Sequence, residues 1–201
     1  MLAQAQSELG ELDVGLFQMD AEELRFPRDS FDVVLCSFGV QSFDSRENAL
    51  LGFSRVMRPG GRLGIVYPRG WHFLDDERWR WQADFFRGYG ADIAMVETEV
   101  TEVQHLIEGA GFEGVRHEEA RYELVFHTEE EWWLWSWSHG TRVLFEAVPK
   151  GRLEALREDL TRGLRDHCTG ADGLIRGSLS AFVITAEKPT ELLGTVAQKS
   201  L

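Results

Sequence analysis

The chain has 201 residues, 43% of them hydrophobic and seven of them Trp, so it can bury a core of its own and reads as one domain over 1–201. Thirty-four acidic against 21 basic side chains give a formal charge of −13, a field that repels phosphate backbones and anionic bilayers. Nucleic acid and membranes are therefore not expected partners.

Met1 to Gly10 carries no basic residue and no long apolar stretch, so it does not read as a signal peptide. No later segment has bilayer length, and a soluble cytoplasmic protein is expected. From Leu12 onward strand and helix periods alternate. Leu12 to Met19, Phe31 to Ser37 and Arg62 to Tyr67 are short apolar runs bounded by Gly, Pro or charge, as strands buried on both faces of a parallel sheet would be. Between the last two, Ser45 to Arg58 places Ala49, Phe53, Val56 and Met57 on one helical face, with a stop at Pro59-Gly60-Gly61. These make a βαβ unit. Thr101 to Gln104 has the form of a capping box and opens a helix that stops at Gly109 to Gly111. Thr128 to Glu131 is a second such box. Pro149 suits the first turn of a further helix with an apolar stripe at Leu153, Leu156, Leu160 and Leu164. Two late strands, Gly114 to Phe126 and Ser178 to Lys188, flank a helical insertion at 128–168 that could act as a lid.

In an open α/β sheet, ligands sit beyond the carboxyl ends of the strands, and Asp20 and Cys36-Ser37-Phe38 occupy two such ends. Asp20 has two readings: it caps the turn that follows, or it accepts hydrogen bonds from an exocyclic amine or a ribose hydroxyl while nearby amides read a purine edge. Cys36, inside an apolar strand, reads as a packed thiol that lines the site; with Cys168 it forms no disulfide framework. No two of the six His stand at i, i+4, so no metal site is expected. "EEEWWLWSWSHG" places Trp133 and Trp137 on one helical face and Trp132 and Trp135 on another. The rings either pack as core or enclose a ligand. Tyr67, Trp71 and Trp137 are the candidate substrate-lining residues, and Trp81 and Phe85 could join Trp71 as pocket walls. No catalytic residue stands out; His72, Tyr67 and His139 are the only bases that position suggests.

The stretch "DAEELRFPRDSFDVV" from Asp20, followed by "RVMRPGGRLGIV" from Arg55 and "HLIEGAGFEGVRHEE" from His105, resembles the small-molecule branch of the class I S-adenosylmethionine-dependent methyltransferases. The resemblance is close over Met1 to Pro68 and looser beyond. It implies an α/β Rossmann-like fold with late antiparallel strands, S-adenosylmethionine as cofactor and a small molecule as methyl acceptor. It also implies that Asp20 and Ala21 hold adenine and that Cys36, Ser37 and Phe38 lie along the cofactor.

One departure stands out. The family's glycine-rich loop and its ribose-gripping acid lie on two strands that precede this region, and Met1 to Leu9 resembles the middle of the helix after the second of them. The domain is therefore expected to be N-terminally incomplete and impaired in binding its cofactor. Phe31 to Ser37 would then be an open apolar edge, and Leu12 to Met19 would have no neighbour. Such an edge favours self-association or pairing with a second chain. The alternative to an enzyme is a non-catalytic remnant that binds a partner.

Overall fold

The computed structural model describes residues 2–10, 12–70, 76–91 and 99–190. Among the described residues seven α-helices and four strands follow in chain order: α1 (Leu2–Leu9), β1 (Phe31–Ser37), α2 (Arg46–Val56), β2 (Met57–Pro68), α3 (Gln82–Gly88), α4 (Val100–Gly109), β3 (Glu113–Phe126), α5 (Glu129–Trp137), α6 (Arg142–Ala147), α7 (Leu153–His167) and β4 (Ile175–Glu187). Short 3₁₀ turns sit at Val40–Ser42 and Lys150–Arg152. No helix among the described residues is long and apolar enough to cross a membrane.

The strands form one sheet in the order β1-β2-β4-β3. Gly61 lies against Asp32 and Gly64 against Leu35, so β1 and β2 advance together as a parallel pair around the crossover helix α2. Along β2 and β4 the register runs the other way: Gly60 donates to the Lys188 carbonyl at 2.8 Å and Arg69 to that of Ser180 at 3.5 Å. His117 beside Phe182 and Arg121 beside Ser178 show the same antiparallel sense for β3 and β4. This is the expected mixed α/β arrangement with late antiparallel strands.

The expected strand Leu12 to Met19 is not one. Those residues follow an irregular path with Leu12, Val14 and Phe17 exposed, because no described strand lies beside them to pair with their backbone groups. Likewise β1 forms over the expected residues but is not buried on both faces: Val33 is 48% and Leu35 77% exposed. Among the described residues β1 has a strand neighbour on one side only. Helix α2 starts as expected, with the Ser45 hydroxyl accepting from the Asn48 amide at 3.2 Å. It ends at Val56, ahead of the expected stop, since Pro59 drives Arg58 out of the helical region and the chain passes straight into β2. Thr101 is not a cap either: α4 already begins at Val100, and the Glu102 amide bonds the Glu99 carbonyl at 3.0 Å.

Two compact units result. One comprises Met1–Ile65, Val103–Arg116 and Ile184–Leu201, the other Val66–Glu102 and His117–Val183. In the first, Leu50, Phe53 and Val56 of α2 bury with Leu63 and Ile65 of β2 and Val103 and Ile107 of α4. Lys188 fastens this unit by donating to the Asp29 carboxylate at 2.8 Å and the Met57 carbonyl at 2.7 Å. The second unit is helical and aromatic. Leu156, Leu160 and Leu164 of α7 are fully buried in a cluster with Trp79, Phe86, Trp132 and Phe145. At Gly163 an added Cβ would stand 2.3 Å from the Trp81 ring, so α7 needs glycine there for the ring to approach. Helix α5 starts on the expected box: Thr128 accepts from the Glu131 amide at 3.1 Å and Glu131 in return from the His127 amide at 2.7 Å.

Candidate functional site

The loop carrying Asp20 is a built turn. Asp20 Oδ1 accepts the Glu22 amide at 2.9 Å and the Asp20 carbonyl that of Glu23 at 3.2 Å, which is the capping role that residue type favours. Its other oxygen, Oδ2, accepts nothing from the described residues and is exposed, so the turn leaves half of the carboxylate open to a donor. Ala21 follows, half-buried, with its carbonyl 3.6 Å from where a Cβ on Gly52 of α2 would stand. Glu22 then reaches across: its two carboxylate oxygens accept the amides of Asp44 at 2.8 Å and Ser45 at 3.1 Å, immediately before α2. Arg55 fixes the other side of the loop, donating to the Leu24 and Phe26 carbonyls at 2.5 and 2.8 Å.

Those amides belong to the segment that leaves β1. The Cys36 thiol sits at the strand end facing the Gly39 and Val40 amides, and burial outweighs those two donors in pushing its proton affinity up. A Cβ on Gly39 would stand 2.8 Å from the Cys36 sulfur, which accounts for the glycine. Ser37 is exposed, and Phe38 holds φ at +50°, a left-handed conformation that a bulky side chain seldom adopts. Gln41 steadies that turn by donating from Nε2 to the Phe38 carbonyl at 2.8 Å, while its Oε1 is buried with no hydrogen-bond partner. A strained backbone and an orphaned acceptor at one strand end are features that cluster at ligand sites.

Asp20, Ala21, Cys36, Ser37 and Phe38 thus lie in one unit, tied through Glu22 to the segment after β1. Glu22 and Gln41 join the candidates only in the structure, since a lone acid and a lone amide give no signal until their partners are located. The remaining candidates fall elsewhere. Tyr67 is buried at the end of β2 in the second unit. The Trp137 ring stacks on Phe145 at 4.9 Å and stands 5.9 Å from Trp133. Trp71 and His72 lie outside the described residues. His139 is held by hydrogen bonds with the Trp135 carbonyl at 2.7 Å and the Thr141 hydroxyl at 3.1 Å, and burial lowers its proton affinity. Among the described residues no group of three or more His, Cys, Asp or Glu side chains could hold a metal ion.

A model of the family described as methyltransferase domain matches residues 1–65. Over 186 residues the chain is 28% identical to nocamycin O-methyltransferase of Saccharothrix syringae, covering 83% of this chain and 64% of that protein. By these two matches the chain is similar to methyltransferases. A second methyltransferase relative, the ubiquinone/menaquinone biosynthesis C-methyltransferase UbiE of Ectopseudomonas mendocina, is 47% identical over 54 residues, 27% of this chain and 21% of that one. The chain therefore spans under two thirds of either relative's length. In fold the chain is similar to the YcgJ protein from Bacillus subtilis, which superposes with a TM-score of 0.51 at 20% identity over 93% of this chain and 76% of the other.

The open acceptors suit the adenine side of the cofactor that the resemblance implies. Asp20 Oδ2 and the buried Gln41 Oε1 are acceptors without partners, suited to an exocyclic amine or a hydroxyl.

Proposed function

We propose that this chain acts in the transfer of a methyl group from S-adenosylmethionine to a small molecule. The observation that carries the reading is the Asp20 carboxylate, with one oxygen spent on its own turn and the other open, on a loop tied through Glu22 to the segment after β1. Asp20 would hold the adenine amine, the Ala21 amide the ring, and Cys36, Ser37 and Phe38 would lie along the adenosine and methionine portions. When bound, the cofactor supplies a methyl group already activated on sulfur. What remains for the chain's own residues is to orient the acceptor and exclude water, a task for aromatic walls such as Tyr67, Trp71 and Trp137, with 128–168 as a lid over the acceptor. The printed names of its relatives span transfer to oxygen and to carbon, so the acceptor atom of this chain is left open. The reaction is assigned to the cytoplasm, where thiols such as Cys36 stay reduced.

The described site offers only the adenine side. A charge-assisted bond from the cofactor to Asp20 would be worth about 1.5–3 kcal/mol, roughly tenfold or more in affinity. Calorimetric titration with S-adenosylmethionine and S-adenosylhomocysteine tests this. Weak binding that Asp20→Asn weakens further supports the assignment, and low-micromolar binding indifferent to Asp20 overturns it.

A second reading has its own support in the exposed Val33 and Leu35 on an edge strand. Such an edge is a template for another chain, so the protein would self-associate or take a second polypeptide, as an impaired enzyme or a non-catalytic partner-binding module. Size-exclusion chromatography with light scattering decides it, and a monodisperse monomer would count against it.

A further inference from the structure

Strand β3 ends the sheet on the side away from β1, and among the described residues it has a strand neighbour, β4, on one side only. From His117 to Glu123 every residue of it is exposed except Ala120, which is half-buried. His117 lies by Phe182 and Arg121 by Ser178, four residues apart on both strands, so the alternation of faces is unbroken over this stretch. His117, Glu119, Arg121 and Glu123 therefore line one face, and Glu118, Ala120 and Tyr122 the other.

An open edge is a template for another strand, and charges of a single sign would blunt it. Here both signs occur, and their order matters. When two copies of one strand pair antiparallel about a two-fold axis, each residue faces a residue of its own face, so the axis must pass through a residue position. Centred on Ala120, the pairing sets Glu119 opposite Arg121 and His117 opposite Glu123 of the second copy, each pair made twice, with the small Ala120 against its own copy. Neighbouring registers lose this match. Centring on Glu118, Glu119 or Arg121 sets that charge against itself, and centring on Tyr122 leaves Glu119 opposite Val125. The charges are available for such pairs. Arg121 donates from Nε and Nη2 to the Ser178 hydroxyl at 3.2 and 2.8 Å and meets no carboxylate among the described residues. Glu119 reaches Arg69 at 3.4 Å from a side chain still 47% exposed.

We infer that β3 is a dimerisation strand: two copies of this chain pair antiparallel along their β3 edges, centred on Ala120, and join their sheets into one. The inference is independent of the methyl transfer proposed above and uses the opposite edge of the sheet from Val33 and Leu35.

The test is analytical ultracentrifugation of the full chain at concentrations up to about 0.5 mM. Salt is held at about 0.1 M, which screens the charge of −13 on each copy beyond about 10 Å but leaves cross-strand pairs in force. A reversible monomer–dimer equilibrium is expected. Glu119→Arg and Arg121→Glu should each weaken it at least about tenfold, since each replaces two attractive cross-strand pairs by two repulsive ones. Mixing the two variants should restore association, because the mixed pair sets Arg against Glu at both places. Leu35→Lys, on β1, should leave the equilibrium unchanged. A chain that stays monomeric throughout overturns the proposal. So does association that Glu119→Arg leaves intact, or that Leu35→Lys abolishes, which would assign it to the β1 edge. Should Arg121→Glu fail to fold for want of its bond to Ser178, cysteine cross-linking decides. Oxidation should link two copies through Ala120→Cys but not through Tyr122→Cys, which would stand about 13 Å from its own copy along the strand. Linkage through Tyr122→Cys alone, with the linked peptide identified by mass spectrometry, overturns the proposal.

Discussion

Gly177→Ala is a sharp test of how the helical unit is packed. Gly177 is buried on β4, and a Cβ built there would stand 2.0 Å from two carbons of the Trp79 ring and 2.6 Å from its Nε1. To regain van der Waals distance the ring would have to retreat by roughly 1.5 Å. It has nowhere to go: Trp79 is fully buried, stacked on Phe126 at 6.3 Å between centroids and set edge-on to Trp135 at 5.9 Å. The retreat would also break the bond from Trp79 Nε1 to the carbonyl of Arg176, the residue next to the substitution. Overpacking costs about 1–3 kcal/mol and the lost hydrogen bond about 1 kcal/mol, so a loss of roughly 2–4 kcal/mol is expected, or roughly 5–15 °C in a domain of this size. Gly64→Ala is the control. Its Cβ would meet Leu35 Cδ2 at 2.7 Å, but that methyl ends an exposed side chain free to swing away. Urea denaturation of both variants beside the parent measures the difference. If Gly177→Ala came within about 0.5 kcal/mol of the parent, the packing around Trp79 described above would be refuted.

Three further outcomes follow from particular groups. Asp20→Asn keeps the oxygen that caps the turn but turns the open one into a donor, so the melting temperature should hold while S-adenosylhomocysteine affinity falls by about 1.5–3 kcal/mol; an unchanged affinity would leave Asp20 a turn residue only. Burial pushes the Cys168 thiol up to about 11, and it donates to the Arg78 carbonyl at 3.1 Å, whereas Cys36 is half-buried. Iodoacetamide should therefore modify Cys36 in the folded chain and Cys168 only in denaturant, with S-adenosylhomocysteine protecting Cys36; mass spectrometry of the alkylated peptides would reveal the opposite order. His139 is favoured neutral in the fold, so the unfolded chain takes up its proton first. Stability from this group is complete above the unfolded value of about 6.5 and is lost as pH falls below it, a slope that His139→Gln should flatten in thermal melts. Asp76 has its proton affinity lowered by Arg78 and Ser178 against the opposing effect of burial, so its loss sets in only below about pH 4 and does not overlap.

Much of the fold was legible because its signals are local. The β1 boundaries follow from one apolar run, the α2 start from Ser45, the α5 start from a capping box, and the α7 stripe from leucines at helical spacing. The failures share one cause. Leu12 to Met19 has a strand's pattern, but a strand exists only through a neighbour, which no local pattern reports. The same holds at the site. Asp20 could be singled out by residue type and position, yet whether its carboxylate was free depended on the Glu22 amide. The value of Gln41 depended on which half of its amide found a partner. The tryptophans were visible as a cluster, but their division between ring-on-ring packing and the unpaired indole of Trp132 is a tertiary fact.

The Glu22 carboxylate has a dynamic consequence. By clasping the amides of Asp44 and Ser45, 22 and 23 residues further along, it makes the Asp20 loop and the entrance to α2 a single mechanical piece. The loop cannot swing out without releasing two amides that then exchange with solvent. Hydrogen exchange at those two positions therefore reports, with no ligand added, how often the Asp20 turn is seated, and a molecule that steadies the turn should slow both amides together.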